Sequence, residues 1–292
     1  MRQRDFWVRL KLADGIGITG EAKVWRALAP DGQLATDWDQ PAEKLAEWAE
    51  LTGRSKLRFI QSWTGPALEQ QAAINLTRNR VCTIDDVNYP QWLREIYAPP
   101  VALFYRGDFT LLRQPLLAVV GSRKHSFYAL DVLRQLLPDV MAAGVVIVSG
   151  LAQGVDTLSH QAALAYQGKT VAVIGTGLDR CYPAGNQALM TELMTNHLVM
   201  SEYPLGSRGL PYHYPERDRI LAGLCQTVLV VEAAEHSGSL ITANSALAEN
   251  RNVLAVPGAI NAPFSAGTNA LIAAGAKPVL TSQDILDDLQ LG

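Results

Sequence analysis

The sequence is poor in the residues that hold metals or staple small folds. Its 292 residues include only three cysteines, Cys82, Cys181 and Cys225, an odd number with no C-x-x-C, and no pair of its five histidines has metal-ligand spacing. That argues against a disulfide framework or a structural metal and fits a reducing cytoplasm. Long apolar runs are missing as well. Segments such as "VVIV" and "VLVV" fall far short of the roughly 18 residues that span a bilayer, and the opening "MRQRDFWVRLKL" breaks its apolar residues with charges. Nothing here directs the chain to a membrane or for export. Charge of one sign is also lacking: 25 basic against 28 acidic residues give a net charge of -3. No global basic field announces a nucleic-acid partner, so any such partner must be met by cations that the fold concentrates.

Catalytic and nucleotide fingerprints are equally scarce. There is no G-x-x-x-x-G-K-[ST] for a P-loop and no G-x-S-x-G for a hydrolase elbow, and "GTGLDR" lacks the third glycine of a dinucleotide motif. One literal G-x-G-x-x-G exists, "GIGITG" at Gly15 to Gly20. A dinucleotide site would need a buried strand leading into it and a second parallel strand after the helix. The flanks instead read as helix, a polar turn and helix, so the motif is expected to be a glycine hairpin between two short helices.

What the sequence does contain is a change of pattern. Residues 1–65 read as a small helical module, with Pro41 in the first turn of "QPAEKLAEWAELTG" and Gly53 as its C-terminal cap. Residues 66–115 read as a connecting extension: a helix "PALEQQAAINLTRNR", then "VCTID", "QWLREI" and "VALFYRG". From Leu116 short Val- and Ile-rich runs alternate with amphipathic helices: "LLAVV", "VVIV", "TVAVI", "HLVM", "TVLVV", "NVLAV" and "KPVL". Apolar on both faces and separated by helices, these strands predict an α/β domain over 116–292 built on a doubly wound, mostly parallel sheet. With 48% hydrophobic residues the chain can bury a substantial core.

In such a sheet ligands bind beyond the carboxyl ends of the strands. The segments there are rich in glycine and serine: Gly121 and Ser122, Ser149, Gly150 and Gly154, Gly175 and Gly177, Ser237, Gly238 and Ser239 with Thr242, and Gly258. Glycines let backbone amides approach an anion, helix N-termini add partial positive charge, and hydroxyls donate, so the expected ligand is phosphate. Arg123 and Lys124, Lys169 before the third strand, and Arg217 with Arg219 are the candidate cations. Tyr212, His213 and Tyr214 directly before the two arginines are the elements of a platform on which single-stranded bases stack, or else they simply cover a helix start. Asp156 and Glu232 are placed to act as bases in a hydrolysis, but each is better explained as capping a helix or neutralising an arginine.

The set "GSR", "SGLAQGVD", "GTGLD", "SEYP", "YPERDRILAGL", "VVEA", "SGSLITA" and "GTNALIAAGA", in that order from about Asp85 onward, closely resembles the DNA-processing protein A family, also called Smf. The resemblance implies an extended Rossmann-like domain preceded by a sterile-alpha-motif-like module. It implies a cytoplasmic homodimer that binds single-stranded DNA without sequence preference, shields strands taken up in natural transformation and loads a RecA-type recombinase. No catalytic residue, cofactor, metal or membrane is implied. DNA-binding residues carried over are Gly121, Ser122, Arg123, Lys169, Tyr214, Arg217, Arg219, Ser239 and Thr242, the set the phosphate argument selects. Tyr214 replaces the family's usual phenylalanine, Asp218 replaces its usual asparagine, and the chain ends at Gly292 where many members continue into a winged-helix domain. The alternative is a nucleotide-processing enzyme of the lysine-decarboxylase-like phosphoribohydrolase type. The run "PGAINAPFSAGTNAL" speaks against it, because it offers Asn269 and Leu271 where that class needs a glutamate.

Overall fold

A computed structural model describes residues 1–29 and 37–291. The chain divides into two compact units, Met1–Tyr105 and Arg106–Gly292.

The first unit is built from α1 (Gln3–Leu12), α2 (Ile18–Leu28), α3 (Ala42–Trp48), α4 (Gly53–Thr64) and α5 (Pro66–Arg78). The strands β1 (Arg80–Thr83) and β2 (Ala102–Gly107) follow, with the short α6 (Gln91–Arg94) between them. Its core is aromatic: Phe6 meets Trp7 edge-on at 5.0 Å and Trp63 at 5.6 Å, and Phe59 stacks on Trp63 at 5.7 Å. "GIGITG" joins α1 to α2, with Gly17 as the N-cap of α2 and no strand leading in. The polar turn expected after α2 falls in 30–36, outside the described residues.

Two sequence expectations are revised here. Gly53 opens α4 and does not cap α3. The left-handed residue that closes α3 is Glu50, with φ 54°, and the amides of Glu50 and Leu51 return to the carbonyls of Glu47 and Ala46. That is the paired bonding of a Schellman turn, which a non-glycine residue enters here at a local cost. The stretch 66–115, read as one extension, is divided: α5 packs on α1 and α4 within the first unit, because Leu68 and Ala72 give it a buried face.

The second unit runs β3 (Leu116–Val120), α7 (Phe127–Ala142), β4 (Val146–Ser149), α8 (Val155–Ala165), β5 (Thr170–Ile174), α9 (Gln187–Asn196) and β6 (Leu198–Ser201). It continues through α10 (His213–Leu224), β7 (Thr227–Val230), α11 (Ser239–Ala248), β8 (Asn252–Ala255), α12 (Ala266–Ala273), β9 (Lys277–Pro278) and α13 (Ser282–Asp288). The strand order is β6-β5-β4-β3-β7-β8-β9, and each neighbouring pair is parallel. Every residue of β3, β4, β5, β6 and β7 is buried, as expected of strands covered on both faces. Leu117 and Val119 join Leu133, Leu137, Leu229 and Ile285 in a core under α7, α8 and α13. Ala118 and Val120 alternate to the other face, on the side of α10, which packs on β3, β5 and α11.

The order reverses between β3 and β7. Chain that leaves β3 proceeds outward through β4, β5 and β6, then returns to β7 and proceeds the other way. The loops after β3 and β7 therefore diverge and leave a crevice between them.

Candidate nucleic-acid interface

The crevice is a groove of about 760 Å³. One wall is the β3 loop, Gly121 to Lys124; the other is the β7 loop with the start of α11, including Ser237, Gly238, Ser239 and Thr242. Asp156, Arg217 and Asp218 lie at its base. A smaller recess of about 60 Å³ adjoins it and shares Arg123, Ala152 and Arg217, with Gly150, Gly175, Tyr182 and Tyr214 as further lining.

The β3 loop is fixed before anything binds. The Ser122 amide donates to the Glu232 carbonyl at 2.8 Å, and the Ser122 carbonyl accepts the Val155 amide at 3.2 Å. The Glu232 carboxylate accepts the Ser126 amide at 3.0 Å and the Ser126 hydroxyl as well, while that hydroxyl accepts the Tyr128 amide and so caps α7. Gly154, with φ 90°, permits the contact from below, since a Cβ there would overlap the Ser122 carbonyl and the Arg123 backbone. Held this way, the exposed Arg123 places its guanidinium carbon 5.5 Å from the Tyr214 ring centroid.

Arg217 is 4% exposed. Its Nη1 donates to the Val173 carbonyl at 3.3 Å and lies 3.7 Å from Asp156 Oδ2. Its Nε is 3.1 Å from Asp218 Oδ1, near enough for charge pairing but without hydrogen-bond alignment. Only glycine fits beneath it, because a Cβ on Gly150 would overlap the guanidinium. Burial pushes the Asp156 carboxyl up from its ordinary pKa, against the downward pull of Arg217 and Arg123. Burial likewise raises Asp218, helped by the nearby Asp156 and opposed by Arg217, Arg123 and a hydrogen bond with Thr242. Two carboxylates thus share one guanidinium at the base of a groove whose rim carries Arg123.

The other expected residues fall in different places. Arg219, two positions along α10, turns away from the groove and grips both oxygens of Glu202 at 2.8 Å. Lys169 precedes β5 and so stands at the amino edge of the sheet, the edge opposite the groove, where its Nζ reaches the Asn196 carbonyl at 3.5 Å. This departs from the expectation that all the cations gather at one edge: a residue that leads into a parallel strand cannot share the crevice with residues that follow one. Ser149 is fully buried and donates to the Val119 carbonyl at 2.7 Å. Gly177 lies against Pro204, and Gly258 is held by Asn269 through its amide and its carbonyl, so neither lines the groove. Tyr182, which the sequence did not single out, has its ring centroid 5.8 Å from that of Tyr214. Its signal was an aromatic in a loop directly after a strand. Among the described residues no three His, Cys, Asp or Glu converge to hold a metal.

A family model described as DNA recombination-mediator protein A matches residues 80–290. The chain belongs to that family. DNA processing protein DprA of Streptococcus pneumoniae is 48% identical over 207 residues, covering 71% of this chain and 73% of the relative. The Bacillus subtilis protein of the same name is 41% identical over 207 residues, covering 70% of each. Among solved structures, DNA processing protein A of S. pneumoniae matches with a TM-score of 0.88 at 37% identity, over 98% of both chains. The Helicobacter pylori family member, solved in a study of its single-stranded DNA binding mode, matches with a TM-score of 0.66 at 28% identity, over 73% of this chain and 97% of its own.

Asp218 stands between Arg217 and Arg219 and lines the groove. A phosphate arriving at Arg123 meets this carboxylate as a like charge. Asp218→Asn is expected to tighten oligonucleotide binding by about 0.5–1.5 kcal/mol at low salt. The pH dependence has a definite sign. As pH falls toward the raised carboxyl pKa values the anion is neutralised, so parent binding tightens. The Asn variant responds less. His236 also lines the groove, so the informative quantity is the difference between parent and variant in titrations from acid to neutral pH.

Proposed function

We infer that this protein of the DNA recombination-mediator family binds single-stranded DNA, without sequence preference, in the groove at the β3/β7 switch point. It shields strands taken up in natural transformation and loads them onto a RecA-type recombinase. It acts in the cytoplasm, as a homodimer, and performs no chemistry of its own. Among the described residues no helix is long and apolar enough to cross a membrane.

The observation that carries this reading is Arg123 standing over Tyr214 on a pinned loop, beside a groove edged with Ser239 and Thr242. A cation next to an aromatic face meets phosphate and base together and asks nothing of the base's identity. The relative from H. pylori, whose structure concerns single-stranded DNA binding, supports the same ligand. Two engagements support the non-enzymatic reading: Glu232 is occupied in holding Ser126, and Asp156 in holding Arg217. Where the phosphoribohydrolase class needs its glutamate this chain offers Asn269 and Leu271; Leu271 has no acid to give, and Asn269 is spent on Gly258.

The test is a fluorescence-anisotropy titration with single-stranded and double-stranded oligonucleotides over a salt series. Single strands should bind more tightly, with log affinity falling by about 0.7 per neutralised phosphate for each decade of salt. Tyr214→Ala should lose about 1–3 kcal/mol with little change in that slope, and Tyr214→Phe should bind like the parent. A large loss in the Phe variant would assign the role to the hydroxyl and remove the stacking platform.

A further inference from the structure

Tyr214 presents only part of its ring. Gly175 backs one side and the Arg123 guanidinium stands over the ring. The open aromatic surface at this end of the sheet belongs to two other residues. Tyr182, in the loop after β5, is 60% exposed, and Tyr212, the residue before α10, is 57% exposed. Rings this open beside exposed arginines offer faces on which unpaired bases can stack.

These rings sit on one connected surface. The Gly177 amide donates to the Ser207 carbonyl at 3.0 Å, and the Gly206 amide donates to both oxygens of Asp179, at 2.9 and 3.1 Å. The loop after β5 is thereby tied to the loop after β6. The Thr176 hydroxyl donates to the Arg180 carbonyl at 2.7 Å, which fixes the approach to Tyr182. His213, edge-on to Tyr212 at 4.7 Å, has its Nδ1 3.0 Å from the Gly175 carbonyl. The same two loops carry Arg180 and Arg208, both exposed and in no ion pair among the described residues. Of the acids on these loops, Asp179 is engaged by the Gly206 amide and Glu202 by Arg219.

We propose that the β5 and β6 loops extend the DNA site into a track on which a single strand continues past Arg123, its bases stacking on Tyr182 and Tyr212 and its phosphates meeting Arg180 and Arg208. The proposal rests on the groove reading above. It adds a direction, outward from β3 toward β6, and a second pair of rings. The occupant is single-stranded rather than duplex DNA, because rings standing beside cations engage bases only where these are unpaired.

Tyr182→Trp supplies a direct readout. All six native tryptophans lie within residues 1–105, so the parent protein is the reference against which the new emission is read. Saturating oligothymidylate should quench the Tyr182→Trp variant well beyond the parent. The double change Tyr182→Ala with Tyr212→Ala, which removes two stacking faces, should weaken binding of an oligonucleotide of about 16 residues by at least about 30-fold with the salt slope kept. Arg180→Ala with Arg208→Ala should lower the slope by about 1.4, two phosphates at about 0.7 each. If emission, affinity and slope all stay at parent values while Arg123→Ala loses affinity, the track is wrong and the groove stands. Loss in the track variants with Arg123→Ala unchanged would keep the track and remove the groove. A parent that binds no single strand removes both.

Discussion

Replacing Arg217 with methionine is expected to lower the unfolding free energy by about 3–5 kcal/mol, the largest loss of any single change considered for this chain. The guanidinium is 4% exposed and is shared by Asp156 and Asp218, both buried. Methionine fills much of the volume but leaves two carboxylates near one another with only the exposed Arg123 as a counter-charge. Since breaking one side of a buried ion pair costs more than the pair contributes, the fold is damaged by what remains. Both carboxyls already have folded pKa values raised above the ordinary range by burial. A raised carboxyl pKa means that the folded state holds more protons than the unfolded state in that window, so stability falls as pH rises through it. Without Arg217 the two values rise further. The deficit in urea denaturation should therefore be larger near pH 8 than near pH 5. Adding Asp156→Asn and Asp218→Asn to the methionine variant should recover much of the loss. A deficit that does not depend on pH would mean that lost packing, not stranded charge, is the cause.

Arg123→Ala is expected to have the largest effect on binding. A charge-assisted hydrogen bond contributes about 1.5–3 kcal/mol, so affinity for single strands should fall by about 10- to 100-fold at low salt. The salt slope should fall by about 0.7, one phosphate. Because Arg123 is exposed and its loop is held by Ser122, Ser126 and Glu232 rather than by its own side chain, melting should be nearly unchanged. Lys169→Ala is the natural comparison, since it removes the same charge from the amino edge of the sheet. It should leave both affinity and slope at parent values. Equal losses from the two changes would indicate general attraction between the strand and the protein rather than a site.

These two residues also show how far the sequence alone could be read. The strands were legible because each is a short, continuously apolar run, and only burial on both faces makes such a run tolerable. Arg123 was legible because it is the first cation after one of those runs. Lys169 precedes its run, and the rule that ligands gather at carboxyl ends separates it from Arg123 once the strand limits are known. Arg217 and Arg219 could not be separated that way. They lie two apart on α10, about 200° around the helix at about 100° per residue, and both faces of α10 carry buried groups, so only packing decides which one meets the groove. Burial of Arg217 was invisible for a related reason: its partner Asp156 comes from α8, 61 positions earlier (217 - 156). In the first unit, the left-handed residue that ends α3 is Glu50, and no turn chemistry in the sequence points to glutamate for that role.

The double hold of Glu232 on the β3 loop has a consequence in time. Its carbonyl fixes Ser122 and its carboxylate fixes Ser126, so the segment carrying Arg123 has already given up its conformational freedom in the unliganded protein. A strand that arrives meets a finished surface and has no loop to order. Encounter is then governed by diffusion and by the pull of the rim cations, and complexes should differ from one another in how long they last rather than in how fast they form.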